Sequence, residues 1–236
     1  MNAMESVIAA GLAELGLPAD RAPLLARYGQ LLLEKNQVMN LTAITDPVQV
    51  ARLHMLDCAA LLGCANFAHK TLIDVGTGAG FPGMVLKIME PSLELTLLDS
   101  LEKRLLWLEE VCDQLGLTGV RFVHARAEEQ AFQQDYREQF DLATARAVAS
   151  MSTLCEICLP FVKVGGQFLA MKSVESTEEV NQAASAVSKL GGQLEKRYDY
   201  PIPGAALCHR VVPVTKIFST PDRYPRRWAK IQKSPL

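Results

Sequence analysis

The sequence lacks any hydrophobic run that approaches the roughly 18 apolar residues of a membrane span. It opens without the charged and then apolar leader of a secreted protein, so we expect a cytoplasmic protein. Its net charge of −2 at pH 7 excludes a protein that attracts nucleic acid through its overall charge. With 49% hydrophobic and 21% charged residues, the composition is typical of a globular protein of one main domain and an appendage.

Metal-ligand patterns are missing as well. The six cysteines include one C-x-x-C pair, Cys155 and Cys158, with no second pair and no histidine at metal spacing. The pair lies among apolar residues, where cysteine behaves as a small hydrophobic side chain. We therefore expect no metal site, and thiols that stay reduced.

Basic residues are scarce in most of the chain and concentrated at its C-terminal end. From His209 onward there are seven basic residues and a single acidic one, Asp222, whereas the preceding part is acidic. This asymmetry predicts either an anionic partner for the C-terminal end or a solvated basic tail. The charge pattern alone leaves both interpretations open.

The spacing of apolar residues divides the chain into three parts. Residues 1–65 are predicted to be helical, because apolar side chains three or four residues apart form one helix face: Leu24, Leu25, Tyr28, Leu31 and Leu32. Residues 66–219 alternate strands with helices, which predicts an α/β fold with a doubly wound, mostly parallel sheet. The predicted strands are TLIDV, LELTLLD, VRFVHA, FDLATAR and GGQFLAMK, with two more near GGQLEKRYDY and CHRVVPVTKIF. Residues 220–236 form a basic tail with little apolar pattern.

A glycine-rich loop follows the first predicted strand, in the sequence LIDVGTGAGFPG. Its glycines are Gly76, Gly78, Gly80 and Gly83. Glycine permits positive φ angles and lets a ligand approach the backbone, and the next helix begins with unpaired N–H groups. A tight turn without a ligand is the plain alternative, but four glycines in eight residues favour a binding loop.

Two classes of adenine-containing ligand fit this loop. Residues 78–83 match G-x-G-x-x-G, the dinucleotide fingerprint, and Asp99 follows at about the spacing of the acidic residue that binds the ribose. The loop also reads as an acidic residue, Asp74, followed by alternate glycines, which suits S-adenosylmethionine. A carboxylate at Asp74 would repel a pyrophosphate and attract an amino group, so the residues favour S-adenosylmethionine, with NAD as the alternative.

A set of segments is shared with one known family. They are LIDVGTGAGFPG, LTLLDSLEKRLLWL, RAEE, FDLATARAVA, the helical YGQLLLEKNQVMNLTAI and RLHMLDC, and the final YPRR and KSPL. Together they resemble the ribosomal RNA small subunit methyltransferase G family, also called glucose-inhibited division protein B, from about residue 24 to the end. The resemblance implies a Rossmann-like class I methyltransferase fold with an N-terminal helical extension. It also implies methylation of N7 of a guanine in 16S ribosomal RNA by S-adenosylmethionine.

Carried over position by position, the resemblance implies donor contacts at Gly76, Phe81, Ala127, Glu128 and Arg146. Further donor-binding residues follow from the general class I pattern, namely Asp74, Gly78, Gly80 and Asp99. Three departures stand out: Cys58 replaces a serine after Asp57, Ser173 replaces a glycine after Lys172, and no glycine follows Arg227.

The reaction that the resemblance implies needs no general base. N7 of guanine carries an in-plane lone pair and no proton, so the enzyme has only to hold the reactants in line. The candidates for this positioning are Arg146, His54 and Lys172. Arg146 ends a predicted strand at the edge where α/β sheets bind ligands, although an ion pair closing that edge fits as well. Asp57, three residues after His54, is close enough to orient its imidazole or to form a structural pair with it.

An acidic body needs a local basic surface to bind RNA, because phosphate contacts depend on nearby charge. The candidates for that surface are Arg52, Lys103, Arg104, Arg126, Arg226 and Arg227. We predict that removing the residues after Thr220 weakens RNA binding and leaves donor affinity intact. The expected partner is 16S ribosomal RNA or the assembling small ribosomal subunit, bound by a monomer. An NAD-dependent oxidoreductase and a non-enzymatic RNA-binding module are the alternatives.

Overall fold

The structure is a computed structural model that describes residues 2–146 and 149–236. Within these ranges the strands are β1 (Thr71–Val75), β2 (Glu94–Asp99), β3 (Val120–His124), β4 (Phe140–Arg146), β5 (Val162–Ser173), β6 (Gly192–Leu194), β7 (Tyr198–Pro201) and β8 (Cys208–Lys216). They form one sheet in the order β3-β2-β1-β4-β5-β8-β6, with β7 also paired to β8. The strands β1 to β5 pair with one another in parallel, and β8 is antiparallel to β5. The predicted mostly parallel sheet is confirmed.

Helices precede the sheet and cover both of its faces. They are α1 (Ala3–Glu14), α2 (Ala22–Met39), α3 (Pro47–Val50), α4 (Asp57–Ala59), α5 (Gly83–Met89), α6 (Glu102–Leu115), α7 (Ala127–Gln130), α8 (Met151–Cys158), α9 (Thr177–Gln182), α10 (Ala184–Lys189) and α11 (Trp228–Lys233). The helical N-terminal extension is confirmed, and a π-helical stretch, Ala51–Leu56, joins α3 to α4. The sequence predicted neither α9 nor α10.

Alternate side chains of the strands enter two hydrophobic cores on opposite faces of the sheet. In β1, Leu72 packs into the first core, and Ile73 and Val75 pack into the second. The predicted apolar face of α2 enters the first core, where Leu25, Tyr28, Leu31 and Leu32 are buried. The second core is formed with α8 and the segments that follow β5. Both faces of the sheet are covered, which explains why its strands are almost continuously apolar.

The C-terminal segment, residues 220–236, packs on the second core and does not extend into solvent. Its side chains Tyr224 and Ile231 are buried. The guanidinium of Arg137 donates to the carbonyl oxygens of Thr220 and Tyr224, at 2.8 and 3.0 Å. The segment is therefore an ordered part of the domain. In the described part of the chain, no helix has the length and apolar character to cross a membrane.

The sheet contains a switch point that positions the site. Strands β1 and β4 are neighbours, although β2 and β3 come between them in the chain. The connections leave this pair in opposite directions, so a crevice opens beyond the carboxyl ends of the strands. The glycine-rich loop follows β1 at this edge, and Asp99 and Arg146 are the last residues of β2 and β4.

Candidate active site

The glycine-rich loop between β1 and α5 turns over the carboxyl edge of the sheet. Gly76, Gly78 and Gly80 have φ angles of 71°, 59° and 87°, which glycine adopts without the strain that a Cβ atom adds. The backbone N–H groups of Gly76 and Thr77 donate to the carbonyl oxygen of Leu98, at 2.9 and 3.1 Å. The loop is therefore fixed to β2, and its shape depends on glycine at three positions.

Asp74 supports the loop from the buried end of β1. Its Oδ2 accepts hydrogen bonds from Thr77 Oγ1 at 2.7 Å and from the Gly83 N–H at 3.0 Å. A Cβ atom at position 83 would lie 2.8 Å from that oxygen, so only glycine lets the backbone come this close. Burial raises the pKa of Asp74 to about 6, against the effect of the two hydrogen bonds.

The other oxygen of Asp74, Oδ1, is buried and has no hydrogen-bond partner within the described part of the chain. A buried acceptor without a donor costs about 1–3 kcal/mol. The position of this oxygen next to the loop therefore favours a ligand with an N–H group, bound directly or through water.

Asp99 ends β2 and faces the same loop. Its Oδ2 accepts from the Gly78 N–H at 2.8 Å and lies 3.4 Å from Arg104 Nη1, while Oδ1 accepts from the Leu101 N–H at 2.8 Å. The carboxylate also lines two adjoining cavities. It therefore supports the loop as well as facing the space above it, and the sequence indicated only the second role.

The two cavities share Gly76, Asp99 and Ser100. The larger, of about 430 Å³, is also lined by Gly78, Phe81 and Arg146. The smaller, of about 170 Å³, is lined by Ala127, Glu128 and Arg126 among others. Seven of the predicted donor contacts thus line these two adjoining cavities: Gly76, Gly78, Phe81, Asp99, Ala127, Glu128 and Arg146.

The other two predicted donor contacts, Asp74 and Gly80, lie beneath the loop and do not line the cavities. A Cβ atom at position 80 would lie 2.5 Å from the Tyr28 hydroxyl, and that hydroxyl donates to the Ala79 carbonyl oxygen. These contacts give Gly80 a packing role between the loop and α2.

The residues of this space fit S-adenosylmethionine, an adenosyl ligand with an amino group. The unpartnered Asp74 oxygen suits that amino group, Asp99 suits the ribose hydroxyls, and Glu128 suits the amino group of adenine. Two carboxylates that line the smaller cavity, Asp99 and Glu128, would repel a pyrophosphate, so the same residues do not suit NAD.

A third cavity, a cleft of about 650 Å³, opens beside the donor space. His54 and Arg146 line both the cleft and the larger donor cavity. Other residues of the cleft come from distant parts of the chain: Asp57, Lys172, Glu179, Leu207 and His209. The cleft therefore adjoins the larger donor cavity, and it has room for a second molecule.

Arg146 is held rigidly between the cleft and the donor cavity. Its Nη1 donates to Asp57 Oδ2 at 3.2 Å and to the Leu53 carbonyl oxygen at 3.0 Å. Its Nη2 lies 3.1 Å from His54 Nδ1, and the guanidinium carbon lies 4.9 Å from the centre of the Phe81 ring. The ion pair expected of Arg146 is confirmed, and its role in positioning a ligand stays a prediction for a side chain that lines both cavities.

The expected pairing of His54 with Asp57 is wrong. Asp57 Oδ1 instead accepts from His209 Nδ1 and from the Tyr200 hydroxyl, each at 2.8 Å. His54 Nε2 lies 2.8 Å from Thr42 Oγ1. The π-helical stretch changes the phase of the helix between positions 54 and 57, so spacing rules for an α-helix fail here.

The pKa values of the two histidines of the cleft are shifted in opposite directions. Burial and the positive charge of Arg146 lower the pKa of His54 to about 4, so this imidazole is neutral at pH 7. The hydrogen bond to Asp57 raises the pKa of His209 above its ordinary value, against the effect of burial. In the described residues, no three His, Cys, Asp or Glu side chains are arranged to hold a metal ion.

Lys172 lies at the far wall of the cleft. Its Nζ lies 2.7 Å from Glu179 Oε1 and donates to the Ala149 carbonyl oxygen at 3.1 Å. The same Glu179 oxygen accepts from the Met151 N–H at 2.5 Å. Lys172 therefore connects β5 to α9 through Glu179. Its positive charge in the cleft is neutralised by this ion pair.

The basic residues predicted to bind RNA have different surroundings. Lys103, Arg126 and Arg227 are exposed, whereas Arg104 interacts with Asp99. Arg52 is half-buried, and its Nε has no partner in the parts of the chain that the structure describes.

Arg226 is directed inward. Its Nε and Nη2 donate to the two carboxylate oxygens of the fully buried Glu156, at 2.7 and 2.6 Å. Its backbone N–H donates to the same carboxylate at 2.9 Å. Glu156 would become an unpaired buried charge if the pair separated, so we assign Arg226 a structural role and withdraw it from the RNA candidates.

Among the cavity residues that sequence reasoning missed are His209 in the cleft and Trp228 in the smaller donor cavity. His209 lies near the start of a strand that was predicted, but its contact with Asp57 depends on the antiparallel pairing of β8 with β5. Trp228 lies in the tail, where the sequence offered no pattern.

Comparisons with known proteins identify relatives over most of the chain. A family model, GidB: rRNA small subunit methyltransferase G, matches residues 21–198. The ribosomal RNA small subunit methyltransferase G of Clostridium perfringens is 47% identical over 210 residues, covering 89% of this chain and 88% of the relative. The protein of the same name from Alkaliphilus metalliredigens is 44% identical over 238 residues, covering 99% and 100%.

Solved structures show the same fold at low identity. An SAM-dependent O-methyltransferase from Thermotoga maritima superposes with a TM-score of 0.53 and 18% identity, over 81% of this chain and 73% of that one. The class I methyltransferase fold is thereby confirmed.

The expected methyltransferase activity and its S-adenosylmethionine donor are confirmed by the family match and the relatives. The NAD-dependent oxidoreductase and the non-enzymatic RNA-binding module lose their support. The chain therefore belongs to the rRNA small subunit methyltransferase G family.

Proposed function

We propose that the chain transfers a methyl group to N7 of a guanine in 16S ribosomal RNA. The observation that carries this proposal is the cleft of about 650 Å³ beside the donor cavity, with His54 and Arg146 common to both. The relatives' name, ribosomal RNA small subunit methyltransferase G, supports the substrate class. The cleft takes the guanine, and the donor cavity takes S-adenosylmethionine.

S-adenosylmethionine supplies an electrophilic methyl group when it is bound. The glycine-rich loop binds the amino-acid end, and the Asp74 oxygen beneath it reaches the amino group through water. Asp99 accepts hydrogen bonds from the ribose, and Glu128 accepts one from adenine. Gly78 leaves room for the ligand, because a Cβ atom there would meet no atom closer than 4.0 Å.

The cleft positions the guanine and does not remove a proton. N7 is unprotonated and needs no base, and the surroundings agree with this: both oxygens of Asp57 have partners, and the low pKa of His54 leaves a weakly basic imidazole. The fixed guanidinium of Arg146 donates to O6 of the guanine, which leaves the N7 lone pair free. Positioning of this kind supplies as much as roughly 7–11 kcal/mol of a reaction barrier.

RNA approaches the site across the exposed basic side chains. Arg126 lines the smaller donor cavity, Lys103 is exposed and precedes Arg104 of the larger one, and Arg227 lies on the C-terminal segment. Arg104 and Arg52 are partly shielded and contribute less. We propose that the enzyme acts as a monomer in the cytoplasm, on 16S ribosomal RNA or on the assembling small subunit.

The test uses ribosomal RNA from a strain that lacks the protein. Chemical cleavage at 7-methylguanine should lose one site in that RNA, and purified protein with S-adenosylmethionine should restore it. The Asp99→Ala variant should restore it poorly, and the Lys189→Ala variant, altered far from the cavities, should restore it fully. An unchanged cleavage pattern in the deletion strain would refute the target.

A further inference from the structure

The smaller donor cavity has a wall that comes from the C-terminal segment. Trp228, the first residue of α11, lines it together with Ala127, Glu128 and Ile157. Trp228 is half-buried and packs against the second hydrophobic core. The family model ends at residue 198, so this side chain lies outside the matched region.

Contacts on both sides of Trp228 fix its place. Two residues earlier, Arg226 forms a bidentate ion pair with the buried Glu156 of α8, and three residues later Ile231 is fully buried. Further back, Arg137 binds the carbonyl oxygens of Thr220 and Tyr224. The indole is therefore held against the cavity by contacts that do not depend on a ligand.

The chemistry of the cavity suits a purine. Glu128 and Asp99 provide acceptors at its edge, while Trp228 and Ile157 provide an aromatic and an aliphatic surface. A flat heteroaromatic ring with an exocyclic amino group satisfies both kinds of surface, because indole stacks on purines and a carboxylate accepts from the amino group.

We propose that Trp228 contacts the adenine of the donor, so that the C-terminal segment contributes this side chain to the donor site. The inference rests on the placement of S-adenosylmethionine in these cavities under the proposed function. It reverses the expectation that removing the residues after Thr220 leaves donor affinity intact. The segment that carries exposed cations toward RNA also completes the pocket for adenine.

Tryptophan fluorescence tests the contact without any turnover. The chain has two tryptophans, and Trp107 is buried in the first core and lines none of the three cavities. In the Trp107→Phe variant, S-adenosylhomocysteine and adenosine should each change the emission of Trp228, and homocysteine should not. In the Trp228→Phe variant, the remaining Trp107 should not respond.

Calorimetric titration with S-adenosylhomocysteine gives the size of the effect. Trp228→Ala should weaken the affinity roughly tenfold, and Trp228→Phe, which keeps an aromatic surface, by less than about threefold. Gln232→Ala, an exposed change on the same helix, should leave the affinity unchanged.

Two results overturn the proposal. Saturable binding with no response from Trp228 in the Trp107→Phe variant would remove the contact while leaving the donor site in place. A wild-type protein that binds no S-adenosylhomocysteine would refute the donor site itself, and the inference with it. Thermal melting of each variant distinguishes lost contacts from lost folding, and the Trp228→Phe variant keeps the test valid if Trp228→Ala unfolds.

Discussion

The donor cavity and the adjoining cleft are built in different ways. The donor cavity takes most of its polar groups from short segments that follow β1 and β2, and backbone N–H groups make many of its hydrogen bonds. The cleft is built from side chains of the π-helical stretch, α4, β4, β5, α9 and β8, which meet only in the folded chain. The buried Asp57 of the cleft accepts hydrogen bonds from the side chains of Arg146, His209 and Tyr200.

This difference predicts different responses to substitution. A change in the donor cavity alters one ligand contact and a nearby turn. A change at Asp57 leaves buried charges without a partner, and therefore affects stability as well as binding. Substitutions that change ligand binding and stability separately test this difference between the donor cavity and the cleft.

The largest expected effect is that of Asp57→Ala. The substitution leaves the nearly buried Arg146 and the imidazole of His209 without their carboxylate, and breaking such a buried pair costs about 3–5 kcal/mol. Urea denaturation should show this loss, whereas Asp222→Ala, at an exposed acidic residue, should change stability by less than about 0.5 kcal/mol. Equal stability of Asp57→Ala and wild type would contradict the role given to the network.

Asp99→Ala should affect the donor cavity. Losing one charged hydrogen-bonding group should weaken S-adenosylhomocysteine binding by about 2 kcal/mol, or roughly 30-fold, in a calorimetric titration. The cleft should be intact, so the affinity for RNA without donor should match that of wild type. A donor dissociation constant that does not change would remove Asp99 from the site.

Donor binding should also depend on pH through Asp74. Its pKa of about 6 lies above the ordinary value of 3.8, so ionising it opposes folding as pH rises from about 4 to 6. Donor binding needs the ionised form, and affinity should fall up to tenfold for each pH unit below about 6. Asp74→Asn should bind more weakly at pH 7 and show a flatter profile. Parallel profiles for the two proteins would assign the pH dependence to another group.

The smallest expected effect is that of His209→Gln. The pKa of His209 is raised by its hydrogen bond to Asp57, so the stabilisation is complete below pH 6.5 and is lost as pH rises through the raised value. The side chain is one-third exposed, and we expect less than about 1 kcal/mol. Urea denaturation should show a larger difference from wild type at pH 5.5 than at pH 8.5. The same difference at both values would mean that charge on His209 does not stabilise the cleft.

The sequence predicts the donor cavity, which is built from local segments, better than the cleft, which is built from distant ones. The five parallel strands and the glycine-rich loop depend on local patterns, and they were found at their positions. The pairing of His209 with Asp57 spans 152 residues and depends on the register of β8, which no local pattern encodes. The π-helical stretch misled the spacing argument for His54, and Trp228 was missed because its placement depends on the pair between Arg226 and Glu156.

The contact of Tyr28 with the Ala79 carbonyl connects helix α2 to the glycine-rich loop. Arg146 likewise connects β4 to the helical segment that carries Leu53 and Asp57. A partial unfolding event that detaches these N-terminal helices would remove contacts of both the donor cavity and the cleft, while the sheet remained folded. Amide hydrogen exchange in α2 would therefore report how often a molecule is incapable of turnover. A ligand that occupies both the donor cavity and the cleft should slow that exchange.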